Sequence, residues 1–150
     1  MHFSGLRDII DFAVEREEES ACFYAQLREQ TDSPSLKKLL EDMEKEEKHH
    51  KKLLQGLSKQ KIDALTVKPV TDLKISDYLV PEPPNPEMSF QDLLILAARK
   101  EQKSADLYAH LRDRVSGEEP KKLFEFLIMQ EKTHKLKLES EYEKRVLTED

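Results

Sequence analysis

Residues 37–51 read KKLLEDMEKEEKHHK, and residues 121–135 read KKLFEFLIMQEKTHK. Laid over each other without gaps at an offset of 84, they agree at eight of 15 positions, including Glu47 with Glu131 and His50 with His134. Around the first stretch, Leu36, Leu40, Met43, Glu47, His50, Leu54 and Leu57 recur three or four residues apart, which is one stripe of a helix. Phe124, Leu127, Glu131, His134 and Leu138 form the same stripe in the second. Each copy therefore sets a Glu, and a His three residues later, on an otherwise apolar face. Glu46 and His49 share that spacing, but the repeat offset and the Leu40, Met43, Leu54 seam select Glu47 and His50 and leave His49 at the surface.

The repeat extends upstream. Residues 13–28 (AVEREEESACFYAQLR) align on residues 97–112 (AARKEQKSADLYAHLR) at the same offset of 84, with eight of 16 positions identical. Chance gives about one identity per window at ordinary residue usage, or roughly two in helices this rich in Glu and Lys. Glu17 pairs with Glu101, and Tyr24 with Tyr108. Ile10, Ala13, Val14, Ala21 and Tyr24 share a stripe with Glu17; Leu94, Ala97, Ala98, Ala105 and Tyr108 share one with Glu101. The chain is thus expected to be two copies of a helical hairpin related by an approximate two-fold axis.

Punctuation places the helices at about 6–29, 34–57, 90–114 and 120–147. Ser33-Pro34 suits an N-cap followed by Pro at the first helical position, and Ser89 with Asp92 resembles a capping box. Gly117 is available for a left-handed turn after the third helix. Connections of about four and five residues make each half an antiparallel hairpin. Residues 58–88 form the long connection between the halves and hold Pro69, Pro81, Pro83, Pro84 and Pro86, five of the seven prolines. A 22-residue helix is roughly 33 Å long. A crossover of this length can travel the side of the bundle and re-enter at the other end, the ferritin-like form of an all-α four-helix bundle. Residues 75–79 (ISDYL) are expected to form a short helix within it.

Composition agrees and excludes alternatives. With 150 residues the chain is read as a single domain, residues 1–150. Charged residues make up 37%, Gly is only 3 and Trp is absent, which favours long helices over strands. The net charge of -6 comes from interleaved acids and bases with no basic block, so nucleic acid is not an expected partner. No apolar run approaches the roughly 20 residues of a membrane helix, and no secretory signal is visible at the N-terminus; a cytoplasmic protein is expected. Cys22 is the only cysteine and is read as a packed, neutral thiol. One thiol excludes a four-thiolate iron site, an iron–sulfur cluster held by this chain alone and a multi-cysteine zinc site.

Any metal must then be held by oxygen and nitrogen. Four helices each bring a Glu to the core face: Glu17, Glu47, Glu101 and Glu131. Burying one carboxylate costs several kcal/mol, and burying four together adds repulsion. Cations between them remove the difficulty: four carboxylates neutralise two divalent ions, and His50 and His134 complete the coordination. Such donors suit iron or manganese, and zinc could occupy the same cage. For any one of these residues the plain alternative is a solvated glutamate or a core histidine, which the matched positions weigh against. Tyr24 and Tyr108, taken by themselves, read as core filler whose hydroxyls find any acceptor. Glu44 flanks the seam as a possible extra ligand, although its repeat partner is Ile128. The rest of the Glu15–Glu19 run is read as a solvated face.

A lone Glu, then Glu-x-x-His, repeated after a long crossover, resembles the ferritin-like di-iron carboxylate proteins. The Tyr seven residues after each lone Glu makes the rubrerythrin branch the nearest likeness, over the four helices. The resemblance implies that Glu17, Glu47, Glu101 and Glu131 bridge or terminally bind two iron ions, that His50 and His134 each cap one, and that Tyr24 and Tyr108 hydrogen-bond to ligand carboxylates. Two departures stand out. Rubrerythrins carry a further Glu three residues after the lone Glu of the third helix, where this chain has Ser104, so the associated ligand exchange is not implied. They also carry a rubredoxin domain, absent from this sequence, so an external electron donor such as a rubredoxin is required.

The resemblance implies an oxidoreductase that reacts with hydrogen peroxide or dioxygen, in defence against oxidative stress. Two other functions suit the same residues: ferroxidase activity with iron storage or transfer, and a non-catalytic bundle whose polar core binds zinc or nothing. A homodimer is expected.

Overall fold

A computed structural model describes residues 6–57 and 87–149. They form four helices: α1 (Leu6–Glu29), α2 (Pro34–Gln55), α3 (Phe90–Arg114) and α4 (Glu118–Glu149). Among these residues there is no strand, and no helix is long and apolar enough to cross a membrane. The crossover expected over 58–88 lies almost entirely outside the described residues, as does the short helix expected at 75–79.

The helix ends follow the capping chemistry. The Ser33 hydroxyl accepts from the Leu36 N–H at 3.3 Å, with Pro34 opening α2. Ser89 and Asp92 form the reciprocal capping box of α3. Each such cap contributes about 1 kcal/mol. Gly117 adopts φ 93°, the left-handed conformation that a side chain would oppose. Two boundaries differ from expectation. α2 ends at Gln55, where Gly56 takes over and its N–H donates to the Lys52 carbonyl at 2.9 Å. α4 begins at Glu118, placing Pro120 third, where the missing N–H has no intrahelical partner to lose.

α1 packs chiefly on α2 and α3 chiefly on α4, as two hairpins. The core divides into two clusters at opposite ends. One gathers Ile9, Ile10 and Ala13 of α1, Leu54 of α2, Leu107, Tyr108 and Leu111 of α3, and Phe124, Leu127 and Ile128 of α4. The other gathers Phe23, Tyr24 and Leu27 of α1, Leu36, Leu40 and Met43 of α2, Leu93, Leu94 and Leu96 to Ala98 of α3, and Leu138 of α4. The start of α1 thus lies beside the end of α2, the end of α3 and the start of α4. It follows that α2 and α3 run parallel, the end of α2 and the start of α3 lying at opposite ends of the bundle. This is the ferritin-like four-helix arrangement, two hairpins joined by a long crossover. The clusters exchange under the repeat: Ile10 matches Leu94, Leu27 matches Leu111, and Leu54 matches Leu138. Between them lies a polar layer.

Candidate metal centre

The polar layer is made by the repeat itself. Glu17 of α1, Glu47 and His50 of α2, Glu101 of α3, and Glu131 and His134 of α4 are each at most 1% exposed. They project inward because each occupies the core position of a stripe whose neighbours, such as Ala13, Met43, Ala97 and Leu127, are themselves buried.

The shorter contact of each histidine crosses between the hairpins, and the longer one stays within its own. His50 Nδ1 lies 2.9 Å from Glu131 Oε1 and 3.4 Å from Glu17 Oε2. His134 Nδ1 lies 2.7 Å from Glu47 Oε1 and 3.7 Å from Glu101 Oε2. The imidazoles stack with centroids 6.0 Å apart and planes at 21°. The tyrosines cross likewise: Tyr24 Oη donates to Glu101 Oε1, and Tyr108 Oη donates to Glu17 Oε1.

Two groups of donor atoms result. Glu17, Glu47, His50 and Glu131 each offer one atom within 4.8 Å of the others, and so do Glu47, Glu101, Glu131 and His134. Glu47 and Glu131 belong to both, so the two groups abut and share a pair of carboxylates. Glu44 belongs to neither: it is held by Arg28 at 3.1 Å and Lys48 at 2.9 Å.

Burial and mutual repulsion set the electrostatics of the cluster. Burial pushes the Glu47 and Glu131 carboxyls well above the usual carboxylate range, and the charges of Glu101 and Glu17 push them further. Burial also raises the Tyr24 and Tyr108 hydroxyls well above 10.0, keeping them as donors, with the charge of the carboxylate each one binds adding to the effect. Burial acts to raise Glu17 too, but contacts with Glu47, His50 and Tyr108 hold it below the usual range. For His134, burial acts downward, and the Glu101 and Glu46 carboxylates outweigh it and raise the imidazole.

One oxygen of every carboxylate, Oε2 of Glu17, Glu47, Glu101 and Glu131, is buried without a hydrogen-bond partner among the described residues. Four carboxylate oxygens without a hydrogen bond in one dry layer are what a pair of divalent cations would satisfy. The donor set of four carboxylates, two imidazoles and no thiolate fits iron.

Several side chains sit differently from the sequence expectation. Cys22 is exposed rather than packed; its repeat partner is Asp106, and both lie off the core stripe. Arg16 is buried within the acidic run expected to be a solvated face, its guanidinium 3.3 Å from Glu19. His49 is exposed, as expected. The residue that sequence reasoning passed over is Glu46, whose Oε2 lies 2.6 Å from His134 Nε2. The available signal was its repeat partner, Gln130, a polar residue beside a ligand position.

No curated protein matches the chain significantly. Among solved structures it is similar to a hypothetical protein of Pyrococcus furiosus, at 29% identity and TM-score 0.73, over 90% of this chain and 86% of that one. It also shares the fold of a Thermotoga maritima protein described as "a putative ferritin-like diiron-carboxylate protein", at 23% identity and TM-score 0.73, over 95% and 97%. Residues 8–142, spanning nearly all of the helical bundle, match the rubrerythrin family, and the chain belongs to that family.

Proposed function

We propose that this protein is a di-iron oxidoreductase of rubrerythrin type that reduces hydrogen peroxide, or dioxygen, with electrons from an external donor protein such as a rubredoxin. The observation that carries the proposal is the set of four buried carboxylate oxygens without a hydrogen bond, each from a different helix, with a histidine on either side. Glu17, Glu47, His50 and Glu131 would hold one ion, and Glu47, Glu101, Glu131 and His134 the other. When bound, two ferrous ions supply the two electrons that, with two protons, convert hydrogen peroxide to two waters.

The chain contributes geometry and dryness. The two apolar clusters close the layer from both ends, so bulk water is excluded and each charge interaction inside is strengthened. Tyr24 and Tyr108 hold their protons at Oη and pin one oxygen of Glu101 and of Glu17, leaving the other oxygen of each turned to the cluster. Imidazole Nδ1 faces the carboxylates in both histidines, which orients the coordinating nitrogen inward.

The test is anaerobic loading with ferrous iron followed by rapid mixing with peroxide. Two irons oxidised per peroxide, with turnover sustained by added reduced rubredoxin, support the proposal. Iron that binds stoichiometrically and stays ferrous on mixing overturns it. A homodimer belongs to the same proposal: Phe126, Met129 and Leu136 are exposed along α4, where a second copy would pack, and sedimentation velocity measures it.

A further inference from the structure

The repeat makes the two halves of the site alike at every ligand, yet the far nitrogens of the histidines differ. His134 Nε2 is 2.6 Å from the Glu46 carboxylate. His50 Nε2 is buried and has no hydrogen-bond partner among the described residues; an edge-on ring, Phe126, lies 6.1 Å away between centroids at 87°. The position that would serve His50 by the repeat is Gln130, not a second glutamate.

A carboxylate that accepts the far N–H of an imidazole fixes its tautomer, locks the ring and makes the coordinating nitrogen more basic; losing such a partner typically weakens metal binding 10–100-fold. Both Nδ1 atoms already face the cluster at similar distances, 2.7 Å to Glu47 for His134 and 2.9 Å to Glu131 for His50. The difference between the halves therefore lies behind the rings. We propose that Glu46 is a positioning residue that makes the two metal positions unequal, the one capped by His134 holding its ion more tightly than the one capped by His50. Glu46 stands at the edge of the bundle, its side chain 38% exposed, and belongs to neither donor group. It acts on the ion only through His134. The inference rests on the metal-binding half of the function proposed above and is independent of the oxidant.

The experiment is anaerobic calorimetric titration of the full chain with ferrous iron, repeated with cobalt(II). The wild type should bind in two resolved steps of one ion each, the first at least tenfold tighter. Glu46→Gln should weaken the first step about 10–100-fold and bring the two together. Gln130→Glu should tighten the second step instead, and the double variant should restore two steps with the order of the positions exchanged. A merely structural role for Glu46 would not move the cobalt(II) NMR signature. At one equivalent, the slowly exchanging, paramagnetically shifted imidazole N–H should come from His134 in the wild type and from His50 in the double variant. Two equal steps in the wild type, or a first step unchanged in Glu46→Gln, overturn the inference alone. A wild type that binds neither ion overturns the metal reading and this inference with it.

Discussion

Where α2 carries Asp42, Lys45 and Lys52, α4 carries Phe126, Met129 and Leu136 at the equivalent repeat positions. On their inward faces the same two helices agree: Glu47 with Glu131, His50 with His134, and Leu54 with Leu138. The two copies have therefore diverged at these outward positions, while every side chain that enters the polar layer has kept its chemistry. A face that only meets water tolerates exchange of charge for apolar surface at little cost, usually within about 0.5 kcal/mol. A buried carboxylate does not, because its partners are buried too.

The comparison is broken most severely by removing what the halves share. Glu47→Gln with Glu131→Gln should abolish binding of both ions, read as metal per chain, because these two carboxylates enter both donor groups. Glu17→Gln and Glu101→Gln, each confined to one group, should impair one ion each.

The same two carboxylates set a pH dependence. Both have folded values raised well above the ordinary value of 4.5. As pH rises past that value the unfolded chain loses these protons first. The stabilisation from the neutral forms is complete below it and fades as pH climbs toward the folded values. The metal-free protein should therefore lose denaturant resistance with rising pH over this window, and the double Gln variant should show a flatter profile. Metal affinity should move oppositely, rising with pH as ions displace protons.

Next in size come the crossed tyrosines. Tyr24→Phe and Tyr108→Phe each delete a donor to a buried carboxylate, a loss of about 1.5–3 kcal/mol. Equal shifts in unfolding midpoint would show that the halves are alike at this level, and unequal shifts would extend the asymmetry at Glu46. Smallest of all, Leu136→Lys restores the charge found in α2 and should change monomer stability by less than about 0.5 kcal/mol, leaving metal content untouched by the same assays.

Most of this architecture was legible in the residues because it is written twice. A Glu on an apolar stripe is ambiguous alone, but Glu17 with Glu101 and Glu47 with Glu131 leave little room for accident. Ser33, Ser89 and Gly117 marked their turns because capping is local chemistry. What periodicity could not supply was anything decided across helices. The Glu46 contact to His134 joins α2 to α4, and no spacing within one helix encodes it. Arg16 looked like part of a solvated run because its burial depends on what α1 meets. Cys22 was misjudged by residue type, since thiols are usually buried, although its partner Asp106 already pointed outward.

The crossed ligation has a mechanical corollary. Each donor group takes most of its members from one hairpin and one shared glutamate from the other. Bound ions would thus act as rivets through the seam between two hairpins that already share both apolar clusters. A chain cut between residues 58 and 86 should hold its two pieces together more tightly when loaded than after chelation, so the centre would add to cohesion as well as chemistry.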